Sequence, residues 1–322
     1  MDDRSRGGSN QEDQAAGDVV EHEPVLTTHI VDRLAPVIGR LWVDATLGLG
    51  GHAAALLEVT PSSAKLVAFD VDARNLNRAR ERLTAWSGRV NLVRANFADL
   101  AETLDAISGS PVDAILADLG PSNNQLLDPQ IGLSFDRDAP LDMRLDERLT
   151  ETAAELVNHL PESRLADLLY VESQEPRSRR IARAICSARR DAPIGSSGLL
   201  ARIVARAVGG RRGRIHPATL TFLALRRTVN REGAALDALL QSAPLRLRTG
   251  GRIAVISFHS GEDRVVKSSF RAWAERGVLR ILTRRPVTAD AVERRRNRRS
   301  RSAKLRVAER TERDIDEGTT AA

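Results

Sequence analysis

A glycine-rich segment followed by an acid carries the clearest chemical signal in the sequence. The segment reads Asp44-Ala-Thr-Leu-Gly-Leu-Gly-Gly-His52, and Asp70 follows the glycines by about 20 residues, a spacing typical of nucleotide-binding α/β folds. Small residues let the backbone approach a ligand closely, and the start of a helix favours negative groups. An acid such as Asp70 can accept hydrogen bonds from both hydroxyls of a ribose. The pair predicts a nucleotide-like ligand, the alternative being a glycine turn with a helix-capping aspartate.

The type of nucleotide is less certain from this loop alone. Gly48, Gly50 and Ala53 satisfy a dinucleotide-binding pattern, so NAD is one interpretation. Against NAD, Thr46 separates the strand end at Asp44 from the glycines, whereas a pyrophosphate loop usually follows its strand directly. S-adenosylmethionine has no pyrophosphate, and an acid at this place could meet its amino-acid end.

A polar loop, Asp118-Leu-Gly-Pro-Ser-Asn123, ends another apolar run. The carboxyl ends of parallel strands face the ligand crevice of an open sheet, so these side chains can reach the reacting atom of a substrate. Methyl transfer to an amine requires an in-line approach of nitrogen to the sulfonium carbon, with acceptors that hold the amine hydrogens. Asp118 is therefore the first catalytic candidate and Asn123 the second. A turn with a capping aspartate is the structural alternative.

Two histidines lie in segments of similar character. Ile256-Ser-Phe-His-Ser-Gly-Glu-Asp263 follows the most strand-like run in the chain and carries His259 toward the same crevice. A lone histidine after a strand is often structural, but this position makes His259 the third catalytic candidate. His216-Pro-Ala-Thr219 resembles a helix start, and a capping or hinge role is as well supported as contact with RNA.

Positive charge indicates a polyanionic partner. The net charge is +6 and the pI is about 10.4. Basic residues concentrate between Arg177 and Arg214 and between Arg284 and Arg313. The run Arg294-Arg-Arg-Asn-Arg-Arg-Ser-Arg301 predicts contact with RNA phosphates, although a solvated or disordered basic run would have the same composition.

Composition disfavours several other classes of protein. The single cysteine, Cys186, excludes an intramolecular disulfide and fits a reducing cytoplasm. No run approaches the roughly 18 apolar residues of a membrane span, and the N-terminal residues do not resemble a signal peptide. Neither zinc-ligand spacing nor a GxxxxGK[ST] phosphate loop is present, so no metal site and no NTPase are predicted. We expect a cytoplasmic protein.

A sheet is needed to bring these candidates together. Through about residue 120, apolar runs of roughly four to eight residues alternate with helix-like segments, which predicts a parallel, doubly wound sheet. After residue 122 the strand pattern stops. A long amphipathic helix is predicted over Thr219 to Leu240, and a strand over Gly250 to Phe258 then rejoins the sheet. We therefore predict one discontinuous domain at 21–122 and 215–311, with a helical domain inserted at 123–214. We also predict a disordered tail at 1–20 and a loose tail at 312–322.

Ordered motifs along the chain resemble the 16S ribosomal RNA cytosine-N4 methyltransferase family, RsmH, formerly called MraW. The match extends from about His22 to Arg310, and the ordered set is specific although each motif alone is weak. Besides the glycine loop and Asp118-Leu-Gly120, the matching segments are His22-Glu-Pro-Val-Leu26, Gly132-Leu-Ser-Phe135, Pro140-Leu-Asp-Met-Arg144, Arg180-Ile-Ala-Arg-Ala-Ile185, His216-Pro-Ala-Thr219, Val255-Ile-Ser-Phe-His-Ser260 with Glu262-Asp-Arg264, and Arg301-Ser-Ala-Lys-Leu-Arg306.

The resemblance implies a class I S-adenosylmethionine-dependent methyltransferase sheet, Rossmann-like, with an inserted all-helical domain. It implies S-adenosylmethionine as cofactor and 16S rRNA or the small ribosomal subunit as partner. The implied reaction is methylation of the exocyclic N4 of a decoding-centre cytidine, nucleotide 1402. The resemblance also assigns the cofactor-binding residues: Gly50, Gly51 and His52 at the methionine end, Asp70 at the ribose, Phe97 at the adenine, and Asp118 and Gln125 completing the pocket.

The chain departs from the family pattern at several positions. His29 replaces a glutamate, Pro121-Ser-Asn123 replaces Val-Ser-Ser, Leu220 replaces an arginine, Gly261 replaces a leucine and Arg298 replaces a proline. The first two departures concern the presumed crevice. An rRNA-binding protein of the same fold with altered or lost methyltransferase activity is therefore the alternative function, and a nicotinamide dehydrogenase is the third.

Overall fold

The computed structural model describes residues 24–210 and 216–313. The predicted disordered tail at 1–20 lies outside these residues. So do 314–322, which make up most of the predicted loose tail, and 211–215, which contain the predicted end of the helical insert.

The parallel part of the sheet has five strands: β1 (Leu41–Asp44), β2 (Lys65–Asp70), β3 (Val90–Arg94), β4 (Val112–Asp118) and β5 (Leu247–Ser257). They lie in the order β3-β2-β1-β4-β5, and each neighbouring pair is parallel. β4 is buried along almost its whole length, as expected of a strand covered on both faces. The strand order reverses between β1 and β4, and at such a switch point the carboxyl ends of the strands open a crevice.

Two further strands, which the sequence analysis did not predict, extend the predicted parallel sheet and make it mixed. β6 (Leu279–Ile281) and β7 (Lys304–Arg310) continue it in the order β5-β7-β6, and β7 is antiparallel to both neighbours. The sequence pattern conceals β7 because charged residues interrupt it. Arg306 is nevertheless buried, since its Nε donates to Asp263 Oδ1 at 2.7 Å. The reversal pairs the first residue of β7 with Ser257, the last residue of β5, so the basic segment before β7 arrives at the crevice end of the sheet.

Helices cover both faces of the sheet. One face packs against α1 (Thr27–Leu34), α2 (Gly51–Val59) and α3 (Ala73–Arg82), and the other against α4 (Leu100–Ile107), α11 (Glu232–Arg246) and α12 (Ser260–Glu275). Successive strand residues point to opposite faces, so Trp42 belongs to the first core and Val43 to the second. The two layers of helices hold the strand ends at fixed positions.

A third hydrophobic cluster is built by helices alone. Its helices are α6 (Ala153–His159), α7 (Glu162–Ser173), α8 (Ser178–Ala188), α9 (Ser197–Ala207) and α10 (Thr219–Val229). α8 shows the reason most clearly, because Ile181, Ala182 and Ile185 form a buried stripe while arginines occupy the opposite face. α10 lies beyond residue 214 and still packs in this cluster, so the helical packing extends further than the predicted insert. The division of the chain into domains otherwise stays a prediction.

The long helix predicted over Thr219 to Leu240 is two helices. α10 ends at Val229 and α11 begins at Glu232, with Arg231 between them in the left-handed region at φ 51°. At the break, the Asn230 side chain bonds to another segment of the chain: its amide donates to Met143 O at 2.8 Å and accepts from Leu145 N at 2.7 Å. α10 can therefore pack in the helical cluster while α11 packs against the sheet.

Candidate active site

A cavity of about 490 Å³ lies at the carboxyl ends of the central strands, within the usual range for small-molecule sites. Its walls come from the glycine loop, the residues after β2, β3 and β4, the 145–149 segment and the junction of α10 with α11. Of the sequence-predicted site residues, six line it: Gly51, His52, Asp70, Phe97, Asp118 and Gln125. Gly50, Asn123 and His259 are not part of the lining.

The glycine loop is held against Asp70 by its own backbone. Gly48 N donates to Asp70 Oδ2 at 2.9 Å, and Gly48 has a φ of 54°, which favours glycine. Gly51 allows Pro24 to pack closely against the loop, because a Cβ at position 51 would lie 3.0 Å from the Pro24 ring. Gly50 instead faces α3, so it begins α2 without touching the cavity. The loop therefore forms a rigid wall of backbone.

Asp70 is strongly engaged by protein donors. Besides Gly48 N, it accepts from Asp72 N at 2.8 Å and from Asn75 Nδ2 at 3.1 Å. Burial raises the pKa of Asp70 to about 7, although these hydrogen bonds oppose the increase. A carboxylate has about four acceptor positions, so about one remains for a ligand hydroxyl.

Asp44 and His52 are two buried polar residues at this end of the sheet, of which His52 lines the cavity and Asp44 does not. Asp44 is 2% exposed, and burial raises its pKa to about 6 while the nearby His52 ring lowers it. His52 Nε2 lies 2.8 Å from Val25 O, and because a carbonyl only accepts, Nε2 carries a proton. The other ring nitrogen, Nδ1, lies 3.7 Å from Asp118 Oδ2.

Asp118 presents an unsatisfied acceptor at this site. Its backbone N–H donates to Thr46 Oγ1 at 2.6 Å, which fixes the end of β4 beside the glycine loop. Its Oδ1 atom is buried and has no hydrogen-bond partner among residues 24–210 and 216–313. Burial raises the pKa of Asp118, while the charges of His52 and Arg299 oppose the increase. A buried acceptor without a donor is costly, which is a common property of sites completed by a ligand.

Gln125 lines the cavity, but the protein uses its amide at both ends. Oε1 accepts from Ser122 N at 2.9 Å, which forms part of a capping box at the start of α5 (Asn123–Leu127). Nε2 donates to Asp72 Oδ2 at 3.0 Å. Burial raises the pKa of Asp72, but hydrogen bonds from Arg74 and Gln125 outweigh it and bring the pKa below its ordinary value. Gln125 therefore ties the loop at 118–123 to the residues after β2.

The remaining two catalytic candidates have structural contacts. His259 is the N-cap of α12, and its Nδ1 accepts from Glu262 N at 3.3 Å. In the neutral ring Nε2 then carries the proton and donates to Glu262 Oε1 at 3.0 Å. Asn123 turns its Oδ1 toward Arg299, which donates to it at 3.2 Å. Both side chains hold cavity residues in place, and their catalytic roles stay predictions.

Several charged residues that the sequence analysis did not select also line the cavity, among them Arg227, Glu262 and Arg299. Arg227 donates to Glu172 Oε2 at 3.0 Å, which links α10 to α7. Burial raises the pKa of Glu262, but contact with His259 outweighs it and lowers the pKa below its ordinary range. Glu262 lies in a family motif and Arg299 in the basic run, but neither spacing indicates a place in the crevice.

The far end of the cavity is closed by the segment 142–149. Leu145, Leu149 and Phe97 are apolar members of the cavity lining, and apolar side chains suit a flat ring. Arg94 Nη2 donates to Glu147 Oε1 at 2.6 Å from the end of β3. Asn230 fixes the other side of the segment through its bonds to Met143 and Leu145.

Two further motifs have a packing role. Phe135 stacks on the His216 ring with centroids 4.3 Å apart and contacts Phe222 edge-on at 5.1 Å. Ala218 N donates to His216 Nδ1 at 3.1 Å, as in a capped helix start. His216 therefore joins the entrance of α10 to the helical cluster and is not in the cavity lining.

Neither a metal cluster nor a membrane span is evident in the described ranges. Within 24–210 and 216–313, no three His, Cys, Asp or Glu side chains are placed to share a metal ion. None of the helices in those ranges combines the length and apolarity needed to cross a membrane.

Solved structures with related folds are distant in sequence. A putative rRNA methylase from Clostridium thermocellum aligns over 90% of this chain and 99% of its own, with 12% identity and a TM-score of 0.42. A putative methyltransferase from Streptococcus mutans, in complex with SAH, aligns over 88% of this chain and 96% of its own, with 14% identity and a TM-score of 0.40.

Sequence relatives are much closer. A protein named ribosomal RNA small subunit methyltransferase H from Syntrophobacter fumaroxidans is 44% identical over 311 residues, covering 91% of this chain and 98% of the relative. A protein of the same name from Sorangium cellulosum is 47% identical over 291 residues, covering 90% of this chain and 91% of the relative. The profile of the MraW methylase family matches residues 19–311. The α/β chain with its mixed seven-stranded sheet therefore belongs to the MraW methylase family.

Proposed function

We propose that this protein transfers a methyl group from S-adenosylmethionine to the exocyclic N4 of a cytidine in 16S rRNA. The names of its relatives support small-subunit rRNA as the substrate. The observation that carries the proposal is Asp118 Oδ1, a buried acceptor without a donor at the edge of a nucleotide-sized cavity. An amine hydrogen would satisfy it.

The residues present fit S-adenosylmethionine better than NAD. Asp44, Asp70 and Asp118 all have raised pKa values because they are buried with too little positive charge nearby. A pyrophosphate would add negative charge beside these acids. A ligand with a cationic ammonium and sulfonium would instead lower their pKa values and be stabilised by them. When bound, S-adenosylmethionine supplies an electrophilic methyl group.

Each part of the cavity then has a role in positioning. Asp70 would accept from a ribose hydroxyl, and Phe97 with Leu145 and Leu149 would cover the adenine. Asp44, which is buried next to the lining residue Ala45, would attract the ammonium group through its charge. Gly51 lets Pro24 pack closely against the loop, and both residues line the cavity.

Asp118 holds the substrate amine during transfer. Its Oδ1 accepts one N4 hydrogen, which turns the nitrogen lone pair toward the methyl carbon. The new N–C bond would form as the bond from the methyl carbon to the donor sulfur breaks, which would leave N4 positively charged. A carboxylate with a raised pKa is suited to take the proton that N4 would then lose. No protein nucleophile is needed because N4 is itself the nucleophile. Accordingly, Cys186 is buried within the helical cluster, away from the cavity lining.

The departures from the family pattern leave this arrangement in place. His29 is not part of the cavity lining. Pro121 uses its carbonyl to accept from Arg299 at 2.8 Å, and Asn123 accepts from the same side chain. These contacts order the loop at 118–123 and favour an active enzyme over an rRNA-binding protein that has lost the reaction.

Methyl transfer to the small ribosomal subunit tests the proposal. Subunits from cells that lack the gene are incubated with protein and methyl-labelled S-adenosylmethionine, and the nucleosides are then analysed. The parent should produce N4-methylcytidine, and Asp118→Ala should not. Asp105→Ala is the matched control, because Asp105 is an exposed acid that pairs with Arg246 at 2.6 Å away from the cavity lining.

Other outcomes have distinct meanings. Label on another atom would replace the substrate assignment, and cofactor binding without transfer would indicate a different RNA. If S-adenosylmethionine does not bind, the enzyme proposal is wrong.

A further inference from the structure

Arg299 lies at the acceptor end of the cavity, close to Asp118. Its Nη2 donates to Pro121 O at 2.8 Å and its Nη1 to Asn123 Oδ1 at 3.2 Å. Its guanidinium carbon lies 5.1 Å from the centre of the Phe258 ring. The guanidinium is therefore held in a defined plane by contacts from two different loops. It lines the same cavity as Asp118, and its charge opposes the increase in the pKa of Asp118.

The place of Arg299 in the fold follows from the reversed strand. β7 begins beside the last residue of β5, so the short 3-10 helix Arg298–Arg301 just before it lies over the carboxyl ends of the strands. Arg298, the neighbour in sequence, is exposed, whereas Arg299 is largely buried and lines the cavity. Two adjacent arginines of the basic run thus face different surroundings.

We propose that Arg299 is a specificity-determining residue that recognises the N3 and O2 atoms of the target cytosine while Asp118 holds N4. The inference rests on the proposed function and adds the way in which the base is selected. The pairing edge of cytosine has a donor at N4 and acceptors at N3 and O2. Asp118 supplies the complementary acceptor, and the planar guanidinium of Arg299 supplies adjacent donors in a fork.

The present contacts of Arg299 show how the base would be received. Both of its oxygen partners in the loop at 118–123 are neutral acceptors, as N3 and O2 of cytosine are. The Asn123 amide is a side chain and can rotate away when a base enters, whereas the Pro121 carbonyl stays with the backbone. Phe258 keeps the guanidinium plane fixed during this exchange.

This arrangement distinguishes cytosine from the other bases. Uracil has an oxygen in place of the amine and an N–H at position 3, so it would oppose both Asp118 and Arg299. Adenine keeps an amine and one ring acceptor but offers a C–H where cytosine has O2. Recognition of a displaced base by its pairing edge is the usual solution in enzymes that act on a nucleobase.

A substrate with 3-deazacytidine at the target position tests the contact to N3. This analogue keeps the N4 amine and removes the N3 acceptor. Small subunits are reconstituted with ligated 16S rRNA that carries cytidine or 3-deazacytidine, and kcat/KM is measured for the parent, Arg299→Ala, Arg299→Lys and Arg298→Ala. Any change in the reactivity of N4 itself affects all four proteins equally, so the comparison isolates the side chain.

The 3-deaza penalty is the fold decrease in kcat/KM when 3-deazacytidine replaces cytidine. We expect this penalty to be at least about tenfold larger in the parent and in Arg298→Ala than in Arg299→Ala, because only the first two proteins lose a hydrogen bond from a charged donor. Arg299→Lys keeps the charge but not the fork, so it should also lose most of the penalty. It serves as the folded comparison if Arg299→Ala is unstable. Equal penalties in all four proteins would overturn the inference while leaving the proposed function intact. No transfer by the parent to unmodified cytidine would overturn both.

Discussion

Replacing Asp118 by asparagine should slow methyl transfer and at the same time stabilise the unliganded protein. Asparagine keeps the shape of the side chain but removes the charge and turns one acceptor into a donor. The Oδ1 atom is buried without a partner, so the amine of the substrate supplies its missing hydrogen bond. A hydrogen bond to a charged group contributes about 1.5–3 kcal/mol, which corresponds to a loss of roughly 10- to 150-fold in kcat/KM.

The stability effect has the opposite sign. Burial raises the pKa of Asp118 above its ordinary value of 3.8 in the folded protein. Its contribution to stability is therefore fully present below pH 3.8 and is lost as pH rises through the raised pKa. At pH 8 the parent keeps a poorly solvated carboxylate that the variant lacks. Allowing for attraction to His52 and Arg299, we expect a gain of about 1 kcal/mol, or roughly 2 °C in Tm for a chain of this size.

Two assays on the same preparations decide this prediction. Initial rates with labelled S-adenosylmethionine and small subunits give kcat/KM, and thermal unfolding at pH 8 and pH 4 gives the change in Tm. The gain in Tm should shrink at pH 4, where Asp118 of the parent is more protonated. A variant that is as fast as the parent, or one that melts earlier at pH 8, would refute the assignment of Asp118 as an unsatisfied acceptor for the amine.

Three further predictions follow from other contacts of the site. Burial raises the pKa of Asp70 to about 7 and that of Asp44 to about 6, so cofactor binding that requires the ionised acids should weaken roughly tenfold from pH 8 to pH 6. Calorimetry at both pH values measures the Kd, and a constant Kd would contradict this prediction. His259→Ala removes the N-cap of α12, so the free energy of unfolding should fall by about 1 kcal/mol and Tm by about 2 °C. The loss of turnover should be smaller than in Asp118→Asn, and a large loss at unchanged Tm would instead support a catalytic His259. Asn230→Ala removes two of the bonds that anchor the 142–149 segment and should accelerate proteolysis there and weaken cofactor binding. Arg271→Ala breaks an exposed ion pair with Glu275 outside the cavity lining and should change neither, so equal behaviour of the two variants would show that Asn230 does not hold the segment.

The local pattern of the chain determines the central strands and much of the cofactor end of the cavity. The buried strand β4 contains an apolar run at residues 114–117, and the ends of β1, β2 and β4 are the acids Asp44, Asp70 and Asp118. The glycine loop lies between β1 and α2, and the conformation of Gly48 and the close packing of Pro24 at Gly51 depend on residue type. Loop, strand end and helix start are neighbours in sequence, so their pattern is enough to predict a nucleotide-like ligand.

The acceptor end was decided by tertiary structure. Arg299 and Pro121 are 178 residues apart and meet only because β7 runs antiparallel beside β5. β7 itself contains Arg306, whose burial depends on Asp263 and cannot be read from hydrophobic periodicity. The end of α10 at Val229 likewise depends on Asn230 bonding a segment more than 80 residues earlier. In each of these cases a buried charged or amide group bonds to a partner far away in the sequence. The sequence therefore predicts the cofactor loop, but only the folded chain brings Arg299 into the same cavity as Asp118.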